Sequence, residues 1–292
     1  MTELALLRRI QAWVPRPRRG VVLGIGDDCA VYRPAGARED LLLTTDLLIE
    51  GVHFLREAHP APAVGWRALA RGLSDIAAMG GRPRFCLLSL ALAPWVSQRW
   101  VDGFYRGLLR LARREGVALA GGDLGHAGRV MCDIVVCGSA PRGKWLRRDG
   151  ACPGDGIYVS GPLGGSALGL RTRRGRAWQR HLRPEPRLEL GRLLRTRWRA
   201  TAAMDLSDGL SLDLHRLCLA SGVAAELDQV PVFPGATLED ALHGGEDYEL
   251  LFTLPRPARA FTRIGTIVAG QPGAVLLAGR PLPPLGYDHF GR

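Results

Sequence analysis

PAVGWRALARGLSDIAAMGG, residues 62–81, decides the fold. Val64, Ala68, Leu69, Leu73, Ile76 and Met79 recur at helical spacing, and the closing glycines supply a stop. The next run, RFCLLSLAL (84–92), is short, apolar and bounded by turn residues, as a buried strand is. Working outward, DLLLTTDLLI (40–49) suits another buried strand. SQRWVDGFYRGLLRLARREG (97–116) has a helical pattern, VALAGGD and VMCDIVVCGSA read as strands, and residues 2–13 are spaced as an N-terminal helix. Residues 1 to about 140 therefore alternate strand and helix, which predicts an α/β fold.

RRDGACPGDGIYVSG (147–161) is rich in Gly, Pro and Asp and marks a boundary. Two α/β domains are expected, 1–145 and 146–292, in keeping with a chain of 292 residues. The second half predicts a strand at 156–160, helices from about 164 and near 185–197, and a helix over SDGLSLDLHRLCLASG (207–222). That helix opens with a Ser/Asp cap and closes on glycine. Strands are expected at 223–227, 248–254 and 261–268.

The chain is 47% hydrophobic and 23% charged, the balance of a folded protein rather than a disordered one. It opens without a basic segment followed by an apolar one, and its longest apolar run, 85–96, falls short of a membrane span. A soluble cytoplasmic protein is expected, with no membrane partner. Six cysteines without a CxxC pair argue for reduced, structural thiols. The formal net charge of +11 raises the possibility of nucleic-acid binding. Yet Lys144 is the only lysine, and an excess carried by arginine reads as compositional habit. The densest run, 171–187, reads as a solvated helix-and-loop face, and no nucleic-acid partner is expected.

The acids carry the chemistry. GIGDDCAVY (24–32) sets Asp27 and Asp28 side by side with no basic residue near them in sequence. Adjacent carboxylates repel unless a cation lies between them or they point apart. Asp46 in TTD, Asp75 in LSD, Asp123 in GGD, and Asp205 and Asp208 in MDLSDG likewise sit in short Gly, Ser or Thr contexts. Each alone reads as a turn or cap residue; the set suits a hard, oxygen-seeking cation such as magnesium. The chain has no GxxxxGK[ST], GxGxxG, HExxH or GxSxG motif, so phosphate handling, if present, relies on metals.

These motifs, with TTDLLIEGVHF, RRDGACPGD, RHLRPEPR, GGEDYELLFT (244–253) and GYDHF (286–290), resemble thiamine-monophosphate kinases, in family order across nearly the whole chain. These enzymes belong with aminoimidazole-ribonucleotide synthetase and selenophosphate synthetase. The resemblance implies a two-domain fold of the aminoimidazole-ribonucleotide-synthetase type, its N-terminal domain pairing strands across a homodimer and its site in the interdomain cleft. It implies ATP-dependent phosphorylation of thiamine monophosphate to the diphosphate, assisted by several magnesium ions. By matching position, Asp28, Thr44, Thr45, Asp46, Asp75, Asp123, Asp205 and Asp208 would hold metal. Gly122, Asp123, Arg148 and Ser207 would contact nucleotide, and His53, Glu246 and Tyr287 the thiamine side. Tyr287 would stack on a thiamine ring.

No general base is required, because a phosphate monoester acceptor is already largely ionised at neutral pH. Asp46→Asn and Asp208→Asn are expected to cut turnover while leaving folding largely intact. Two departures from the family stand out. Leu124, Gly125 and His126 replace the usual Thr-Thr-Arg after GGD, and Cys152 stands where Lys or Arg is usual. The remaining alternatives are an ATP-using relative acting on another acceptor and an Arg-rich nucleic-acid binder.

Overall fold

The computed structural model describes residues 2–14 and 19–290. Its first sheet contains β1 (Val21–Leu23), β2 (Ala30–Tyr32), β3 (Glu39–Ile49), β4 (Arg82–Leu92), β5 (Ala118–His126) and β6 (Met131–Pro141). Their spatial order is β1-β2-β3-β6-β4-β5. β3 and β6 pair antiparallel over their full length, from Glu39 opposite Pro141 to Ile49 opposite Met131. Only the β4–β5 pair at the edge is parallel. Helix α1 (Glu3–Trp13) precedes this sheet, and α2 (Ala61–Ala78) and α3 (Gln98–Glu115) cover one face of it.

The second sheet contains β7 (Gly156–Val159), β8 (Ala202–Asp205), β9 (Ala224–Leu227), β10 (Leu250–Leu254), β11 (Thr262–Val268), β12 (Val275–Leu277) and β13 (Arg280–Pro281). It is ordered β13-β12-β9-β11-β7-β10-β8. Among its strands run α4 (Gly165–Thr172), α5 (Gly175–Leu182), α6 (Leu188–Leu193) with a π turn over Leu194–Trp198, α7 (Leu210–Ser221) and α8 (Leu238–His243).

Helix α2 is the hinge of the architecture. Apart from Ala61, Pro62, Arg71 and Asp75, all of its residues are buried. A helix apolar on every side needs cover on every side, and α2 has it. Val64, Leu69, Leu73 and Ile76 enter the core of the first sheet, whereas Ala77 and Ala78 pack with Tyr158, Leu250 and Phe252 of the second. Glycine permits the tight α2–α3 crossing: a Cβ on Gly65 would stand 1.9 Å from the Phe104 carbonyl oxygen, and one on Gly107 would stand 1.8 Å from that of Pro62.

Among the described residues, no helix packs on the other face of the first sheet. Register places Leu47, Asp133 and Ser89 in one row, Thr45, Val135 and Leu87 in the next, and Ile49, Met131 and Ala91 in a third. Leu47, Leu87, Met131 and the neighbouring Phe85 are all exposed.

Two local expectations are corrected. No Ser or Asp side chain caps α7; Gly209 is its N-cap, and Asp213, inside the first turn, accepts from Asp208 N and Gly209 N at 3.0 Å each. Nor is 171–187 merely a solvated face. Arg171 pairs with Asp240, Arg180 and Arg187 converge on the fully buried Glu249, and His181 is buried. Buried carboxylates distant in sequence use those arginines. The cysteines are all free, with only Cys152 exposed.

Candidate active site

Three elements that share no local sequence bring Asp28, Asp75 and Asp205 together. Asp28 sits in the turn before β2, Asp75 in the last third of α2, and Asp205 at the end of β8. One carboxylate oxygen of each lies within 4.8 Å of the others. Burial pushes Asp28 up to about 6 and Asp205 to about 7, and raises Asp75 well above the carboxylate range, with the neighbouring acids adding to the effect. Three like charges without bulk water are costly, and Asp28 Oδ2 is buried with no hydrogen-bond partner. A divalent cation with oxygen preference removes both penalties, so the donor set fits magnesium.

The puzzle of the adjacent aspartates also has a protein answer. Arg148, 120 positions away, donates to Asp28 Oδ1 at 2.5 Å and lies 3.4 Å from Asp27 Oδ1. The guanidinium expected on nucleotide phosphate is thus already committed to these acids, and their mutual repulsion is partly relieved without a metal. Thr44 donates its hydroxyl to Asp75 Oδ2 at 2.5 Å, which turns it toward the cluster. Thr45 points to the other face of the sheet and donates to Asp133 at 2.7 Å.

Asp46 and Asp208 lie outside the three-carboxylate group, and each is held by an arginine that was not anticipated. Arg71 donates to both oxygens of Asp46, at 2.6 and 3.0 Å, and Arg216 pairs with Asp208. Gly122 and Asp123 are on the edge strand β5, where Asp123 shares a row with Ser89 and Asp133. That row faces away from α2, and three strand spacings, about 14 Å, separate β5 from β3. A Cβ on Gly122 would stand 1.8 Å from the Leu88 carbonyl oxygen, so the strand pairing itself demands glycine there.

A second group of residues adjoins the acids. Buried Arg67 donates from Nη2 to Glu246 Oε1 at 2.5 Å and to the His53 carbonyl at 3.2 Å. His53 Nδ1 accepts from Ile49 N at 3.0 Å, which places the ring proton on Nε2, buried and unpartnered. Burial, aided by Arg71, lowers this histidine to about 3. Tyr287 is half exposed, and its ring lies 4.8 Å from that of His289, which in turn lies 5.2 Å from His53. Ser207 offers its carbonyl to Glu246 N at 2.7 Å, and Tyr287 N donates to the Asp208 carbonyl at 2.9 Å, so MDLSDG, GGEDYE and GYDHF are laced edge to edge. Glu246 and Tyr248 both hold positive φ, 65° and 50°. Two non-glycine residues so close in the left-handed region mark a loop held in place by its surroundings. The other acids of GGEDYE are structural: Asp247 takes the Gly164 and Ser166 amides, and Glu249 the arginines named above.

Sequence reasoning missed Arg67, Arg71, Asp213 and Arg216. All four occupy helical positions in motifs already singled out, but helical spacing does not say which turn meets which distant loop.

The fold is that of the aminoimidazole-ribonucleotide-synthetase class. The family model described as AIR synthase related protein, N-terminal domain, matches residues 26–140. The thiamine-monophosphate kinase of Salmonella typhimurium is 39% identical over an alignment covering 99% of this chain and 98% of that protein. That of Aquifex aeolicus is 36% identical, covering 91% and 92%. Among solved structures, AaThiL complexed with AMPPCP and TMP superposes with a TM-score of 0.88 at 34% identity, covering 99% of this chain and 97% of that one. The thiamine-monophosphate kinase of Stenotrophomonas maltophilia gives 0.74 at 38%, covering 95% and 97%. The chain belongs to the thiamine-monophosphate kinase family.

Proposed function

We propose that the chain transfers the γ-phosphoryl group of ATP directly to thiamine monophosphate, forming ADP and thiamine diphosphate. The observation that carries this reading is the convergence of Asp28, Asp75 and Asp205 beside the Arg67-linked pair of His53 and Glu246. On this reading the three acids are the cation-holding group and the His53–Glu246 pair the organic-substrate group. A relative of the same fold has been solved with AMPPCP and TMP.

Asp28, Asp75 and Asp205 hold magnesium, with Thr44 fixing the Asp75 carboxylate and Asp46 and Asp208 at the margin. Bound magnesium neutralises the charge that two polyanionic reactants bring together. The acceptor phosphate, with a second pKa near 6, reaches the cleft already ionised, so the protein supplies alignment and electrostatics, with no covalent intermediate. His53, kept neutral, offers Nε2–H as a donor, Glu246 faces the cationic thiazolium, and Tyr287 gives it an aromatic face. Arg148 orders the GDD turn and shares its charge with the nucleotide, near Ser207.

The uncovered sheet face supports a homodimer, a second copy covering Leu47, Leu87 and Met131. Asp123, on the opposite face of the sheet from Asp46, and its neighbour Gly122 then serve the site across that interface. The division into domains 1–145 and 146–292 follows the passage from the first sheet to the second.

Purified chain supplied with ATP, magnesium and thiamine monophosphate should yield ADP and thiamine diphosphate in equal amounts by chromatography. Absence of thiamine diphosphate, or ADP released without it, rejects the assignment.

A further inference from the structure

Past its first turn, α2 is buried everywhere except at Arg71 and Asp75, one helical turn apart on the same face. Arg67, a turn earlier, continues the line. The three side chains divide the cleft between them: Arg67 holds Glu246, Asp75 joins the carboxylate cluster, and Arg71 stands between. Eight residues of helix span about 12 Å, the scale on which a thiamine-side anchor and a cation group would bracket one phosphate.

Arg71 is not fully used. Nε and Nη2 are occupied by Asp46, but Nη1 is buried and has no hydrogen-bond partner, its nearest acid oxygen being Glu246 Oε1 at 4.0 Å. A buried guanidinium N–H without an acceptor is costly and rare, and a planar fork suits phosphate oxygens. Arg67 Nε and His53 Nε2 are likewise buried without a partner, and the His53 ring is close enough to feel the charge of Arg71.

We infer that Arg71 binds the phosphate of the acceptor through Nη1, and so lets the site tell a phosphorylated substrate from its dephosphorylated analogue. The inference rests on the proposed function and assigns a residue to which the sequence alone gave no role. Arg71 is a binding residue here; Arg67, acting through Glu246, is a positioning one.

The test is calorimetry in EDTA, without metal or turnover, comparing thiamine monophosphate with thiamine on wild type, Arg71→Met and Arg71→Lys. Wild type should prefer the phosphorylated ligand, and Arg71→Met should shrink that preference by about ten- to a hundredfold, the worth of one charge-assisted hydrogen bond. Binding of thiamine and of AMPPCP should stay within about twofold of wild type. Arg71→Lys, which keeps the charge but not the fork, should recover part of the preference. Equal weakening of both thiamine ligands means a structural role and overturns the inference, as does a loss confined to AMPPCP. A wild type that makes thiamine diphosphate yet shows no preference overturns it alone; one that binds neither ligand and makes no product overturns the proposed function as well.

Discussion

Arg67 and Glu246 join the two halves of the molecule, a guanidinium buried in α2 meeting a carboxylate on a left-handed loop residue 179 positions later at 2.5 Å. Arg67 also donates to the His181 carbonyl, so one side chain ties α2 to both α5 and the GGEDYE loop. Removing one partner of a buried ion pair leaves the other uncompensated. Arg67→Met should therefore cost about 3–5 kcal/mol in urea unfolding, together with a raised KM for the acceptor. A loss below about 1 kcal/mol would show that the link is not structural.

Asp46 carries a consequence that its sequence context did not reveal. Taken as a simple ligand, it should tolerate Asn without harm to folding; but it neutralises Arg71, which is almost wholly buried. Asp46→Asn should lower stability by about 1–3 kcal/mol as well as turnover. Adding Arg71→Met should recover part of the stability, and thermal melts of the single and double variants measure the coupling. Strict additivity would exclude it.

His59 and His181 meet at 3.0 Å in the buried seam, and His181 stacks on Trp178. Burial, aided by Arg67, holds His59 down at about 4 and His181 at about 2. Both lie below the unfolded value near 6.5, so the unfolded chain takes up protons first as the pH falls. Their contribution is complete above pH 6.5 and is lost progressively toward pH 4 for His59 and toward pH 2 for His181. Between pH 6.5 and 5, wild type should lose about 1–2 kcal/mol more than His181→Phe. The difference between the two proteins isolates the histidine from the carboxylates, whose raised values act in the opposite direction. Parallel pH profiles would contradict the assignment.

If a second copy covers the open sheet face, the chain should sediment at twice 31.6 kDa. Leu87→Glu, at the centre of the apolar rows, should then give monomers that keep their fold by circular dichroism but lose activity, since Asp123 would no longer reach a partner's site. A wild type that is monomeric and active would rule this out.

The strands and long helices were legible because each carries one dominant signal. β3 and β4 are mostly apolar runs of strand length, α2 and α3 carry their apolar residues at helical spacing, and Gly116 in the left-handed conformation stops α3 at the expected place. Shorter elements escaped. α5 was hidden by its arginines, one of which, Arg180, is met by Glu249 69 positions away. β8, only four residues long, has no alternation because it is buried on both sides. At the site, the acids were visible as residue types in glycine contexts. Their counter-charges were not, since nothing local to GDD points to Arg148 and nothing local to TTD points to Arg71. The cap expected from Ser207 and Asp208 went to Asp213, while the Asp208 side chain pairs with Arg216.

Carboxylates from three distant elements should form one cation site, and magnesium titrated calorimetrically into wild type and Asp205→Asn, each with AMPPCP, decides whether they do. The variant should bind magnesium at least about tenfold more weakly. Without metal it should be more stable by about 1–3 kcal/mol, because one of three crowded charges is gone. Unchanged magnesium affinity, with no gain in metal-free stability, would contradict that site.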